Sequence, residues 1–238
     1  MTGTELIDML GLRLEDPENA SFTDDTKIKA LNISQRTVVN LLDNAYLTEL
    51  QVIDAHPTLD VTNGYTENNI VGGKVEFTGT GSGKLNIDPI RGGVIAVKVF
   101  KRTGSSGSFV ESSLGFANMI EPQDAKRLEN SYLAGSDSNP IAYVFQDAIY
   151  IEPTGIDGAI DVWYLKNPTD IADNSTECEL NVALHEIVLD FAESQLWKMD
   201  NKVDRATISY TNAINQIKAL NDRYQVEKPK GIGTQGRA

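Results

Sequence analysis

The stretch TDIADNSTECELNVALHEIVLDFAESQLWKMDNKVDRATISYTNAINQIKALNDRYQVEK, residues 169–228, contains neither glycine nor proline. Both residues punctuate turns and weaken helix interiors, so their absence over that length marks helical chain. Leu180, Leu184, Ile187, Val188, Phe191 and Gln195 fall on one helical face, with Asn181 or the residues before it as the cap. A break near Met199-Asp200-Asn201 precedes a second helix. There Val203, Ala206, Tyr210, Ala213, Ile217, Leu220 and Tyr224 alternate steps of three and four, a heptad-like seam. Two helices on so short a link predict an antiparallel hairpin that needs another face to pack on.

The other chain end supplies that face. Residues 18–56 also lack glycine and proline, whereas residues 57–168 hold 14 of the 19 glycines and 6 of the 8 prolines. Before residue 57 three helical segments are predicted. Thr4 caps a short one carrying Leu6, Ile7, Met9 and Leu10, which stops near Gly11 or Pro17. Thr23 caps a longer one, with Asp24 and Asp25 in the first turn, where the positive end of the helix dipole favours acids. Ile28, Leu31, Val38, Leu42 and Tyr46 recur along it at helical spacing, and a third segment lies around Leu47, Leu50 and Val52.

The middle reads as strands. Val94–Phe100 (VIAVKVF) is apolar on both faces, Ile141–Phe145 and Ala148–Ile151 form a hairpin around Gln146-Asp147, and Ala159–Leu165 follows a turn at 153–158. Weaker strands are read at Lys74–Thr78 and Ser108–Glu111, with a short helix at Glu121–Asn130. The expected class is α+β. A helical bundle forms from the N- and C-terminal arms (1–56 and 169–224), an antiparallel β domain, a small sandwich or barrel, is inserted at 57–168, and an extended C-terminal arm covers 225–238.

Composition narrows the function. The net charge is −13 and the pI about 4.6, which argues against tight wrapping of nucleic acid, a task for many phosphate-binding cations. One cysteine, Cys178, rules out an internal disulfide framework and a Cys-rich zinc site. The first residues carry no secretory signal pattern and no apolar run approaches the ~20 residues of a membrane span, so a soluble, intracellularly made protein is expected.

Enzyme motifs are sought without success. Gly79-Thr80-Gly81-Ser82-Gly83-Lys84 resembles a phosphate loop, but Thr78 stands where the first glycine is needed and Leu85 where a magnesium-binding hydroxyl is needed; a turn between strands is expected. His185-Glu186 opens like a zinc-protease helix, yet position 189 is Leu, and His56 and His185 are the only histidines. A Cys178–His185 nucleophile pair has nothing else behind it. With 34 carboxylates, a glycosidase-like pair carries no information. No cofactor and no metal are expected. The last fourteen residues, QVEKPKGIGTQGRA, cannot form a core of their own. They hold three cations against one acid, with Ile232 as the one large apolar residue after Val226, a composition suited to an arm that orders on an acidic partner.

In their order these features resemble the head-to-tail connector (adaptor) proteins of tailed bacteriophages. Three stretches carry the resemblance: Ile28–Leu42 (IKALNISQRTVVNLL) with Tyr46–Leu50 (YLTEL), Ile149–Pro153 (IYIEP) with Val162–Pro168 (VWYLKNP), and Cys178–Val188 (CELNVALHEIV) with Ala192–Asp200 (AESQLWKMD). The resemblance implies a non-enzymatic virion protein, assembled in the host cytoplasm and placed at the head–tail junction. It would form a homo-oligomeric ring, typically of twelve copies, between the portal protein and the tail nozzle or other tail proteins. The helices would form the wall of a channel through which DNA passes without sequence-specific binding. It also implies a portal-docking C-terminal segment, carried here to Lys228, Pro229, Lys230, Ile232 and Arg237. Two other readings stand beside it: a tail-completion or minor tail protein, and a carbohydrate-binding module on a helical oligomerisation stalk. In the latter, Trp163 would share a pocket with Tyr143 or Tyr150, although alternation within the strands points those rings toward the core. An acid–base hydrolase comes last.

Overall fold

The computed structural model describes residues 1–130, 133–173 and 175–227, with residues 91, 92 and 224–227 described through the backbone alone. The fold is α+β. The chain divides into two units, one made of Met1–Leu50 with the chain from Pro168 onward, the other of Gln51–Asn167.

The first unit holds four α-helices: α1 (Gly3–Arg13), α2 (Asp24–Leu41), α3 (His185–Met199) and α4 (Val203–Glu227). Thr2, not Thr4, caps α1. Its hydroxyl accepts from the Glu5 N–H, and the Glu5 carboxylate accepts from the Thr2 N–H at 2.9 Å, a reciprocal pair that Thr4 has no acid to complete three residues on. The helix runs through Gly11 and ends at Arg13, between the two expected stops at Gly11 and Pro17. A Cβ at Gly11 would stand 3.0 Å from the Lys27 ammonium, so the missing side chain is what lets that ammonium approach. Thr23 caps α2 with Asp24 and Asp25 in the first turn, as expected.

The buried side of α2 is made by Lys27, Ala30, Leu31, Ser34, Gln35, Val38 and Val39, a stripe shifted off Ile28. Lys27 is 1% exposed and meets the Asp16 carbonyl at 3.0 Å, the Asn19 amide oxygen at 2.6 Å and the Asp16 carboxylate at 3.8 Å. Asp16 in turn accepts from the Ser21 and Phe22 N–H groups. Burial alone would raise its pKa, but those two bonds and the Lys27 charge hold the carboxyl below its ordinary value.

α3 packs on α1, α2 and α4 through Ile187, Val188, Leu189, Phe191, Ala192, Leu196 and Trp197. Arg13 of α1 donates to Asp190 at 2.7 Å and also pairs with Glu186. On α4 only part of the expected seam is buried: Ala206, Ala213 and Ile217 turn inward with Ser209, whereas Val203 and Tyr210 stay exposed. The Asn221 amide joins two elements, donating to the Leu41 carbonyl at the end of α2 and accepting from the Asp43 N–H. α4 continues to Glu227, so Gln225–Glu227 are helical rather than the start of an extended arm.

The expected third helical segment is instead two 3-10 turns, Asn44–Tyr46 and Thr48–Leu50, followed by a strand, β1 (Gln51–Asp54). The boundary between units therefore falls at Leu50–Gln51 rather than after His56, because Val52 and Ile53 pair with Tyr164 and Trp163. The second unit continues with β2 (Lys74–Glu76), β3 (Pro89–Thr103), β4 (Val110–Phe116), β5 (Asn118–Met119), β6 (Ile141–Phe145), β7 (Ala148–Glu152) and β8 (Gly158–Lys166). The short helix expected at Glu121–Asn130 is a 3-10 run, Pro122–Glu129. Two four-stranded sheets result, ordered β1-β8-β3-β4 and β2-β7-β6-β5; every pairing is antiparallel except β5 with β6. Alternate residues of both sheets, among them Val97, Val99, Ile160, Val162, Val75, Ile149 and Ile151, bury in one apolar cluster.

Candidate functional site

Side chains able to do chemistry are spread over several places, and their partners decide what each can do. The glycine-rich loop at 79–84 forms bends and a turn between β2 and the run into β3. Gly79, Gly81 and Gly83 have φ of 110°, 97° and 77°, conformations that only glycine adopts without strain. Lys84, the residue a phosphate would need, is ion-paired to Glu76, which also accepts from Lys74 at 2.8 Å. Its ammonium is already engaged by a carboxylate.

The conceivable Cys178–His185 pair does not form. The Cys178 thiol lies 3.4 Å from the Gln35 side-chain oxygen, and burial raises its pKa. His185 Nε2 donates to the Leu180 carbonyl at 2.8 Å, which leaves Nδ1 as a buried acceptor with no partner among the described residues. No group of three or more His, Cys, Asp or Glu suited to a metal ion occurs among the described residues.

Burial lowers the His185 pKa, because a charged imidazole has lost its water. The unfolded chain takes up a proton near pH 6.5 while the folded one resists it, so this contribution is full above that pH and is lost as the pH falls toward the folded value. The unfolding free energy from urea titrations should drop between pH 7 and 5.5, by at most about 1.4 kcal/mol per pH unit from this one group. His185→Gln should flatten the slope. Equal slopes in both proteins would mean that other groups carry it.

A second histidine organises a polar network that spacing did not reveal. His56 Nδ1 lies 2.6 Å from Asp161, its backbone N–H donates to the same oxygen, and Nε2 lies 3.1 Å from Glu111. The Tyr65 hydroxyl donates to Glu111 at 2.5 Å, and burial, with that bond and charge behind it, drives the phenol far above its ordinary pKa. The His56 ring also lies 4.1 Å from Phe100 and edge-on to Tyr65. The partners are 105, 55 and 46 residues apart in the chain. The network fastens the exit of β1 to β8 and β4.

The aromatic residues group differently from expectation. Trp163 contacts Phe116 on the first sheet, while Tyr143 and Tyr150 stack on the second with ring centroids 5.1 Å apart. Both tyrosines lie on the strand face opposite Ala142, Ile149 and Ile151 of the apolar cluster, so they are partly buried residues of the outer face rather than core. Tyr150 and Phe145, with Lys74, Glu76, Thr78, Gln146, Asp147 and Ala148, line a groove of about 220 Å³.

The expected portal contacts, Lys228, Pro229, Lys230, Ile232 and Arg237, lie outside the described residues. No helix among the described residues is long and apolar enough to cross a membrane. No protein-family model matches the chain, and no curated protein matches it.

Proposed function

We propose that the chain is a structural virion protein whose copies close into a ring joining the capsid portal to the tail, with DNA passing through the centre. The observation that carries this reading is apolar surface on the helical unit. Leu12, Ile33, Val182, Met199, Val203 and Ile208 are all more than half exposed, and they lie on or just before all four helices. Side chains of this kind on several helices suit a heterologous contact repeated from copy to copy, and such contacts generate rings when the rotation closes. In this reading α1–α4 act as one bundle forming the wall, the two sheets form an inserted sandwich, and the chain performs no catalysis. The charge of −13 per copy supports it too, since an acidic lumen lets DNA slide without sticking.

The test is the mass of the protein mixed with the portal of the same genome, measured by light scattering after size exclusion, with each component also run alone. A joint species with about twelve added copies is expected, and it should form more readily from low to moderate salt as like charges are screened. Because α4 reaches Glu227, deleting residues 228–238 spares every described helix; it should leave the protein folded and weaken portal binding. No complex at any salt would remove the connector reading, and binding to tail-tube protein instead would favour a tail-completion role.

A further inference from the structure

The groove on the outer face of the second sheet has the makings of a ligand site. Registration across the strands puts Lys74, Tyr150 and Tyr143 in one row and Glu76, Ala148 and Phe145 in the next. Ala148 is the small member of its row, so its methyl group lies sunk between the Phe145 ring and the Glu76 carboxylate. The Gln146-Asp147 turn, with Gln146 at φ 53°, closes one end of the hollow. Phe145 is 50% exposed, and its ring centroid is 6.4 Å from that of Tyr150, which is itself stacked on Tyr143 with 7° between the planes.

The polar walls define what fits. Glu76 is met from both sides, by Lys74 and by Lys84, so its carboxylate is positioned as an acceptor before a ligand arrives. Those two ammonium groups also occupy the place a metal cation would take. An anionic ligand would meet Glu76 and Asp147 in a chain of net charge −13. An apolar peptide would strand the lysine, the carboxylates and the Gln146 amide against groups that cannot pair with them. A sugar ring matches the whole lining, since one of its faces is C–H and packs on an aromatic ring, while its rim of hydroxyls both donates and accepts.

We propose that this groove is a binding site for a neutral carbohydrate, with Tyr150 and Phe145 as the stacking floor and wall and Glu76, Lys74, Gln146 and Asp147 as hydroxyl partners. The site stands apart from the ring-forming role and does not depend on it.

The experiment titrates the full-length protein with neutral hexasaccharides of glucose and of N-acetylglucosamine, and with a sulfated oligosaccharide, by calorimetry. Saturable binding of at least one neutral hexasaccharide is expected, together with a tenfold or greater loss in both Phe145→Ala and Tyr150→Ala. Phe145 and Gln146 are exposed, so Phe145→Ala and Gln146→Ala keep the test valid if Tyr150→Ala fails to fold. Binding of the sulfated sugar alone would overturn the neutral assignment. No binding of any sugar, or binding that survives Phe145→Ala and Gln146→Ala, would overturn the site. Weaker self-association in those variants without sugar binding would reassign the groove to a contact between copies.

Discussion

Asp16→Ala should destabilise the protein by about 3–5 kcal/mol, the usual cost of removing one partner from a buried ion pair. The cause is the Lys27 ammonium, which stays behind at 1% exposure. It retains the backbone carbonyl of residue 16 and the Asn19 amide oxygen, but no negative charge remains within 4 Å among the described residues. The Ser21 and Phe22 N–H groups lose their acceptor in the same step. Urea unfolding at pH 7 measures the loss. Lys27→Met, which removes the charge and keeps the chain length, should relieve part of it when combined with Asp16→Ala. The double variant should then be more stable than the sum of the single effects by about 0.5–3 kcal/mol. Strict additivity would show that the pair is not coupled.

Gly158→Ala should cost about 3 kcal/mol or more, at the upper end for overpacking. A Cβ there would lie 1.8 Å from the Phe100 carbonyl oxygen and 3.1 Å from the Lys101 Cα. Both atoms belong to the backbone of β3, which is held by β8 on one side and β4 on the other and has nowhere to retreat. Three residues earlier the same change has the opposite sign. A Cβ at Gly155 meets nothing within 4 Å, so Gly155→Ala should be neutral or add about 0.4–1 kcal/mol by restricting the unfolded chain. Thermal melts of the two variants side by side decide this, and equal melting temperatures would refute the steric account.

Some of these elements are legible in the residues themselves. The hairpin of β6 and β7 follows from apolar runs on either side of Gln146-Asp147, and the long helices follow from the absence of glycine and proline with Thr23 as cap. Other features are hidden for physical reasons. A lysine on an amphipathic helix reads as surface, so the burial of Lys27 shows only once Gly11 is known to face it. Four residues, Gln51–Asp54, are too few to distinguish a strand from the end of a helical pattern; their pairing with β8 decides. Alternation within β6 and β7 reveals two faces but not which one is inner, and that is why Tyr143 and Tyr150 read as core and lie outside it. The His56 network joins residues 105 and 55 positions apart, a distance no local pattern spans.

The division of the chain also sets an order of events during synthesis. α1 and α2 are complete by residue 41, yet α3, the helix on which both pack, begins at residue 185. At about 5–20 residues per second, a ribosome needs on the order of ten seconds to make the chain in between. Throughout that interval Leu6, Leu10, Leu31 and Val38 wait without α3, whereas the strands at 51–167 have all their pairing partners once β8 is made, before α3 begins. The unit that starts first is thus the one that finishes last, and its first 50 residues need shelter until the final helices arrive.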